Sequence, residues 1–167
     1  METARLLGTS LLVNKTLKHL DVSFNPDMGI GLCYFTRALN ENRSLVGLSM
    51  NGCFVAAQDV ISMTDTLEMG NRTLQSLQLA SAIDLHVTSH ILKMMRSNWC
   101  ISEIYIDGET CRNKEVAKAL WRNRNRRSVL AFMAAFHPRL GIASEVRCLS
   151  PISSGFLRTV SSFLISS

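Results

Sequence analysis

The sequence predicts an α/β solenoid: a short, curved parallel sheet on the concave side, helices on the convex side, and a helical C-terminal extension. Three observations predict it. Four segments recur at a nearly constant interval, their first aliphatic residues Leu17, Leu45, Leu74 and Ile101 spaced by 28, 29 and 27 residues, and a fixed period in that range marks stacked repeats. Within each segment apolar and polar residues alternate, as in a half-buried strand. The stretches between them carry apolar residues at helical spacing, and alternation of strand with helix makes consecutive strands parallel.

The strands come first in the argument. Side chains alternate faces along a strand, so Leu20 with Val22, Leu48 with Met50, Leu77 with Leu79 and Ile104 with Ile106 point inward. One strand and one helix cannot bury an apolar face alone, and stacking turns these pairs into a continuous aliphatic column. An asparagine precedes every strand, at Asn14, Asn42, Asn71 and Asn98. The frame of each segment is L-x-x-L-x-L-x-x-N/C. It closes on Asn25 in the first repeat and Cys53 in the second, and departs with Ala82 in the third and Glu109 in the fourth. A buried asparagine amide at that closing position supplies both donors and acceptors to a turn that has left the sheet. Asn25 is expected to do this, with Cys53 as a small apolar substitute.

Over residues 5 to 125 this frame and period resemble the leucine-rich repeats of the ribonuclease-inhibitor-like class. The resemblance implies a strand followed by a full helix in each repeat. It implies interaction rather than catalysis, and no single function, since the class looks alike in inhibitors, actin-capping proteins, GTPase activators and the sensor arms of immune receptors. No residue here is assignable to a GTPase-activating turn.

Helices are expected in turn. Pro26-Asp27-Met28-Gly29 leads into a helix through Leu32, Phe35, Ala38 and Leu39. The second starts at Asp59, runs through Val60, Met63 and Leu67, and stops at Gly70. A third carries Val87, Ile91, Leu92 and Met95, with Thr88 or Ser89 as its cap; the fourth runs from a cap at Asn113 to about Trp121 through Val116, Ala119 and Leu120. The segment from Leu6 to Val13 aligns with the ends of these helices better than with a signal-peptide core. The array then starts inside a repeat, and Leu6, Leu7, Leu11 and Leu12 form an uncapped edge that either continues a larger array or pairs with another chain.

Composition bounds the rest. The chain has 167 residues, 47% of them hydrophobic, with a net charge of +5. The expected division is a repeat array over 1–127 and a helical cap or extension over 128–167. No apolar run approaches the roughly 18 residues needed to span a bilayer. Five scattered cysteines, Cys33, Cys53, Cys100, Cys111 and Cys148, contain no C-x-x-C pair and do not read as a disulfide framework; a cytoplasmic location, with the nucleus as the second compartment, is expected. Asn14-Lys15-Thr16, Asn42-Arg43-Ser44 and Asn71-Arg72-Thr73 match the glycosylation rule only because the repeat recurs.

Catalytic signals are weak. His19, His86, His90 and His137 sit in no nucleophile or zinc motif, and His86 with His90 would need a further ligand to hold a metal. Gly29-Ile30-Gly31 lacks the setting of a phosphate loop. The expectation is a non-enzyme with no cofactor and no metal.

The candidate working surface is the outward face of the strands. Alternation gives three rows: His19, Gly47, Ser76 and Glu103; Asp21, Ser49, Gln78 and Tyr105; Ser23, Asn51, Ala80 and Asp107. Parallel strands lie about 4.8 Å apart, so each row is a ladder that a protein partner of unknown identity can contact at once. Binding is expected of His19, Asp21, Ser23, Ser49, Asn51, Gln78, Glu103, Tyr105 and Asp107. A second candidate is the basic run Arg122, Arg124, Arg126 and Arg127, which either grips nucleic-acid phosphates, with Trp121 stacking on a base, or offsets a negative helix end. A third is the tail from Ser150-Pro151, whose Leu-x-x-Val-x-x-Phe-Leu pattern is faintly similar to the first helices of an F-box and would recruit a ubiquitin-ligase scaffold.

Overall fold

The computed structural model describes residues 2–79, 85–106, 113–126 and 128. The chain divides into two compact units, Met1–Asn123 and Arg124–Ser167. Of the second only residues 124–126 and 128 are described, so the C-terminal extension and the F-box-like tail lie outside the described residues, as do Ala80, Asp107, Cys111 and Arg127.

In the first unit the elements alternate as expected: α1 (Glu2–Val13), β1 (His19–Asp21), α2 (Pro26–Gly29), α3 (Leu32–Glu41), β2 (Gly47–Met50), α4 (Ala57–Met69), β3 (Ser76–Leu79), α5 (Leu85–Ser97), β4 (Glu103–Tyr105) and α6 (Lys114–Arg124). The strands form one parallel sheet in the order β1-β2-β3-β4. Its register pairs Leu20 with Leu48, Leu48 with Leu77 and Leu77 with Ile104.

Burial follows the strand period. Leu48, Met50, Leu77, Leu79, Ile104 and Ile106 are buried, as are Leu45, Leu74 and Ile101 at the head of their strands. The first strand differs: Leu17 is 37% exposed and Leu20 only partly buried, because β1 is the outermost strand of the sheet. Helices pack beside one another in chain order, α1 on α3, α3 on α4 and α4 on α5. Leu32, Phe35, Ala38 and Leu39 of α3, Val60, Met63 and Leu67 of α4, and Val87, Ile91 and Met95 of α5 fill the core. In α1, Leu11 is buried and Leu6 exposed. Lys93 Nζ lies 2.9 Å from Glu68 Oε2, and His90 Nδ1 lies 3.5 Å from Asp65 Oδ1, too long for a hydrogen bond.

Helix starts depart from expectation in two places. α4 begins at Ala57, two residues before Asp59, because Ala57 and Gln58 both favour helix. α5 begins at Leu85, which places Thr88 and Ser89 inside the helix; Ser89 Oγ donates back to His86 O at 2.7 Å instead of capping. Asn113 does cap α6, its Oδ1 accepting from the N–H groups of Glu115 (3.0 Å) and Val116 (3.2 Å). Among the described residues no helix is long and apolar enough to cross a membrane.

Candidate protein-binding face

The asparagines that precede the strands link neighbouring repeats within the first unit. Asn42 Nδ2 donates to Leu11 O (2.7 Å) and Asn14 O (2.9 Å), Asn71 Nδ2 to Leu39 O (2.8 Å) and Asn42 O (3.2 Å), and Asn98 Nδ2 to Leu67 O (2.8 Å) and Asn71 O (3.0 Å). Each amide thus takes one carbonyl from near the end of the helix one repeat earlier and one from the preceding asparagine. The carboxamide oxygens turn the other way. Asn71 Oδ1 accepts from Thr73 N and Leu74 N, and Asn14, Asn42 and Asn98 each accept from the N–H groups two and three residues on. A buried backbone group without a partner costs about 1–3 kcal/mol, so the Asn42, Asn71 and Asn98 rungs each satisfy four backbone groups, two carbonyls and two N–H groups.

The last rung is shared. Asn123 Nδ2 donates to Asn98 O (3.0 Å) and Ile101 O (2.6 Å), while the Arg122 guanidinium donates to Met95 O at the end of α5 and to Asn123 Oδ1. Arg122 also stacks 4.1 Å over the Trp99 ring, and burial pulls its pKa down. Arg43 and Arg72 likewise donate to the last carbonyls of α3 and α4, where a cation offsets the helix dipole. Of the expected basic patch, Arg122 is therefore taken up by helix capping, Arg124 and Arg126 are exposed, and Arg127 lies outside the described residues.

Asn25 serves the turn after β1 as the frame predicted, but not as a buried residue. It is exposed, and its Nδ2 donates only locally, to Val22 O and Ser23 O, both at 3.0 Å. Cys53 is buried with its Sγ on Val22 O at 3.4 Å, and burial raises its pKa. Asn42 and Asn71 are 1% and 0% exposed, so both are closed to glycosylation.

Two outward rows form in the expected register: His19, Gly47, Ser76 and Glu103, then Asp21, Ser49, Gln78 and Tyr105. His19, Asp21, Glu103 and Tyr105 are exposed, and Ser23, Ser49, Asn51, Ser76 and Gln78 partly so. Gly47 is small for a reason: a Cβ there would lie 2.6 Å from His19 Nδ1. The middle of the face is a closed ring of hydrogen bonds. Asn51 N–H donates to Ser23 Oγ (3.1 Å), Ser23 and Ser49 hydroxyls meet at 2.8 Å, Ser49 donates to Gln78 Oε1 (3.4 Å), and Asn51 Nδ2 donates to the same oxygen (2.8 Å). Hydrogen bonding by Ser23, whose N–H donates to Asp21 Oδ1 at 2.9 Å, holds the Asp21 carboxyl below the usual carboxylate range. The middle of the face is thus tied together by side-chain hydrogen bonds, and Asp21 favours its ionised form. Among the described residues no group of three or more His, Cys, Asp or Glu side chains could hold a metal ion.

Two features of this face escaped the sequence reading. Phe24 has φ +60° and Gly52 φ +71°, at equivalent places in the turns after β1 and β2. Phe24 bears a cost of about 1–2 kcal/mol for the left-handed region, with its side chain 83% exposed. Phe54 is 78% exposed. Neither breaks a periodicity, so the signal available was only their place at strand exits.

Neither a protein-family model nor a curated protein sequence matches the chain. Among solved structures, the chain is similar to leiomodin-1 actin-binding site 2, with a TM-score of 0.70 at 14% identity, covering 82% of this chain and 81% of that one. That likeness shows a shared fold. A Caenorhabditis elegans tropomodulin C-terminal domain aligns with a TM-score of 0.49 at 11% identity, over 77% of this chain and 95% of that one. The resemblance to ribonuclease-inhibitor-like leucine-rich repeats is thereby corrected: the solved structure that shares this fold is the leiomodin-1 domain. The physical reason lies in Asn25 and Asn71. The closing residue that carried the resemblance is exposed in the first repeat, and the buried amide stands before the strand, while the aliphatic frame itself records only the alternation that any stack of parallel strands backed by helices requires.

Proposed function

We propose that the chain is a non-catalytic module that binds a protein partner on the outward face of its sheet, through His19, Asp21, Ser23, Ser49, Asn51, Gln78, Glu103 and Tyr105. One observation carries this reading: the hydrogen-bonded ring Ser23–Ser49–Gln78–Asn51 prearranges polar groups from neighbouring strands and strand exits on one open face. A prearranged surface loses little side-chain entropy on binding. Tyr105, 49% exposed at the end of its row, adds an aromatic of the kind that dominates interface energies. The three described cysteines are free, which supports a cytoplasmic setting.

Leiomodin-1 supplies the first probe, because its similar segment is named an actin-binding site. Monomeric actin is titrated against the full chain and against the Asp21→Ala, Gln78→Ala, Tyr105→Ala triple variant. The expected result is at least tenfold weaker binding by the triple variant with unchanged far-UV circular dichroism. Equal affinity of the two proteins would remove the sheet face as the binding surface; no binding by either would remove actin as the partner.

A further inference from the structure

The turn after each of the first two strands demands a left-handed residue four positions beyond Leu20 and Leu48. Glycine meets that demand freely, and the second repeat has Gly52. Phenylalanine stands there in the first repeat, in a region that a bulky side chain rarely adopts, and its ring gains no burial in return: Phe24 is 83% exposed. Close by, Phe54 is 78% exposed. The two turns touch. A Cβ on Gly52 would lie 2.9 Å from Phe24 Cδ1, a Cβ on Gly29 would lie 2.0 Å from Phe54 O, and Phe54 N–H donates to Pro26 O at 3.4 Å. Both rings are therefore carried on one interlocked rim at the exit of β1 and β2.

Charge gives the rim a sign. The chain is net +5, yet the described outward rows contain the acids Asp21 and Glu103 and neither lysine nor arginine. Asp21 stands three residues before Phe24, and Asp27 follows it, both exposed. We propose that Phe24 and Phe54 anchor the partner of the sheet face, and that the partner's contact segment places an aliphatic or aromatic side chain beside a lysine or arginine. The apolar group lodges against the two rings, and the cation faces Asp21. Exposed aromatics suit such anchoring because they contribute much area at low entropy cost, and opposite charge across the contact selects the partner and speeds encounter. This inference rests on the protein-binding reading above.

A phage-displayed library of random linear peptides, selected on the immobilised full chain, tests it. The expected winners share an apolar residue next to Lys or Arg. Their affinity falls at least tenfold for Phe24→Gly and for Phe54→Ser, and about threefold for Asp21→Asn, while Phe24→Gly unfolds at the same or a higher temperature than the parent. A purely structural Phe24 would give the opposite pairing, lower stability with binding intact. Winners that lose affinity for Gln78→Ala, Tyr105→Ala but not for Phe24→Gly overturn the anchor and leave the sheet face standing. Winners indifferent to all these changes, or no winners, overturn both readings. Winners without a basic residue overturn the assigned partner chemistry.

Discussion

Asn71 shows what one side chain does here. Its amide reaches Leu39 O and Asn42 O in one direction and accepts from Thr73 N and Leu74 N in the other, at 0% exposure. Asn71→Ala leaves buried backbone groups unpaired and is expected to lower stability by about 2–4 kcal/mol. Asn14→Ala, at the outermost, half-buried rung, should cost about 1 kcal/mol or less by the same reasoning. Parallel urea melts compare them; equal losses would mean that the amides are not links between repeats. Asp21 gives a pH test. Its folded pKa lies below the ordinary value, so its contribution to stability is complete above the usual carboxylate pKa and disappears as pH falls through the lowered one. An NMR titration of the Asp21 carboxyl should show that depression in the parent and its relief in Ser23→Ala. The recurrence of Asn14, Asn42, Asn71 and Asn98 is plain in the sequence, but their direction is not. Only coordinates show that the buried amide precedes the strand and that Asn25 faces solvent.

At the level of the element, the two periodicities were readable. Inward aliphatics at every second strand position, Leu20 of the outermost strand excepted, and Leu32, Phe35, Ala38 and Leu39 at helical spacing end up buried. Helix starts were harder to place, because a serine or threonine caps or sits mid-helix according to where the preceding turn ends. Ser89 bonds back to His86 O, whereas Asn113 caps α6. Turn conformation was not readable at all at Phe24, since no periodicity marks a positive φ on a phenylalanine. Gly52→Ala should destabilise the β2 exit by about 1–2 kcal/mol, combining left-handed strain with a Cβ 2.9 Å from the Phe24 ring. Phe24→Gly should leave stability unchanged or raise it by about 0.5–1 kcal/mol, strain relief being partly offset by glycine's backbone entropy. Thermal melts decide both, and a stabilised Gly52→Ala would contradict the turn geometry.

Across the first unit, stability is a sum of contacts between neighbours. Neighbouring repeats within it share the aliphatic column, the sheet ladder and the asparagine rungs, and damage at one rung should spread to the strands on either side. The period of 27 to 29 residues made the parallel stack legible, whereas the family assignment drawn from it was not secure. An aliphatic frame is imposed by burial, and the leiomodin-1 likeness at 14% identity shows how little sequence a shared fold retains. The central claim is that buried asparagine amides keep the strands in register and so assemble the outward rows. Native-state hydrogen exchange on Asn71→Ala tests it most directly. The account predicts that the amides of β2 and β3, Gly47–Met50 and Ser76–Leu79, lose protection together; loss confined to Thr73 and Leu74, with both strands still protected, would contradict it.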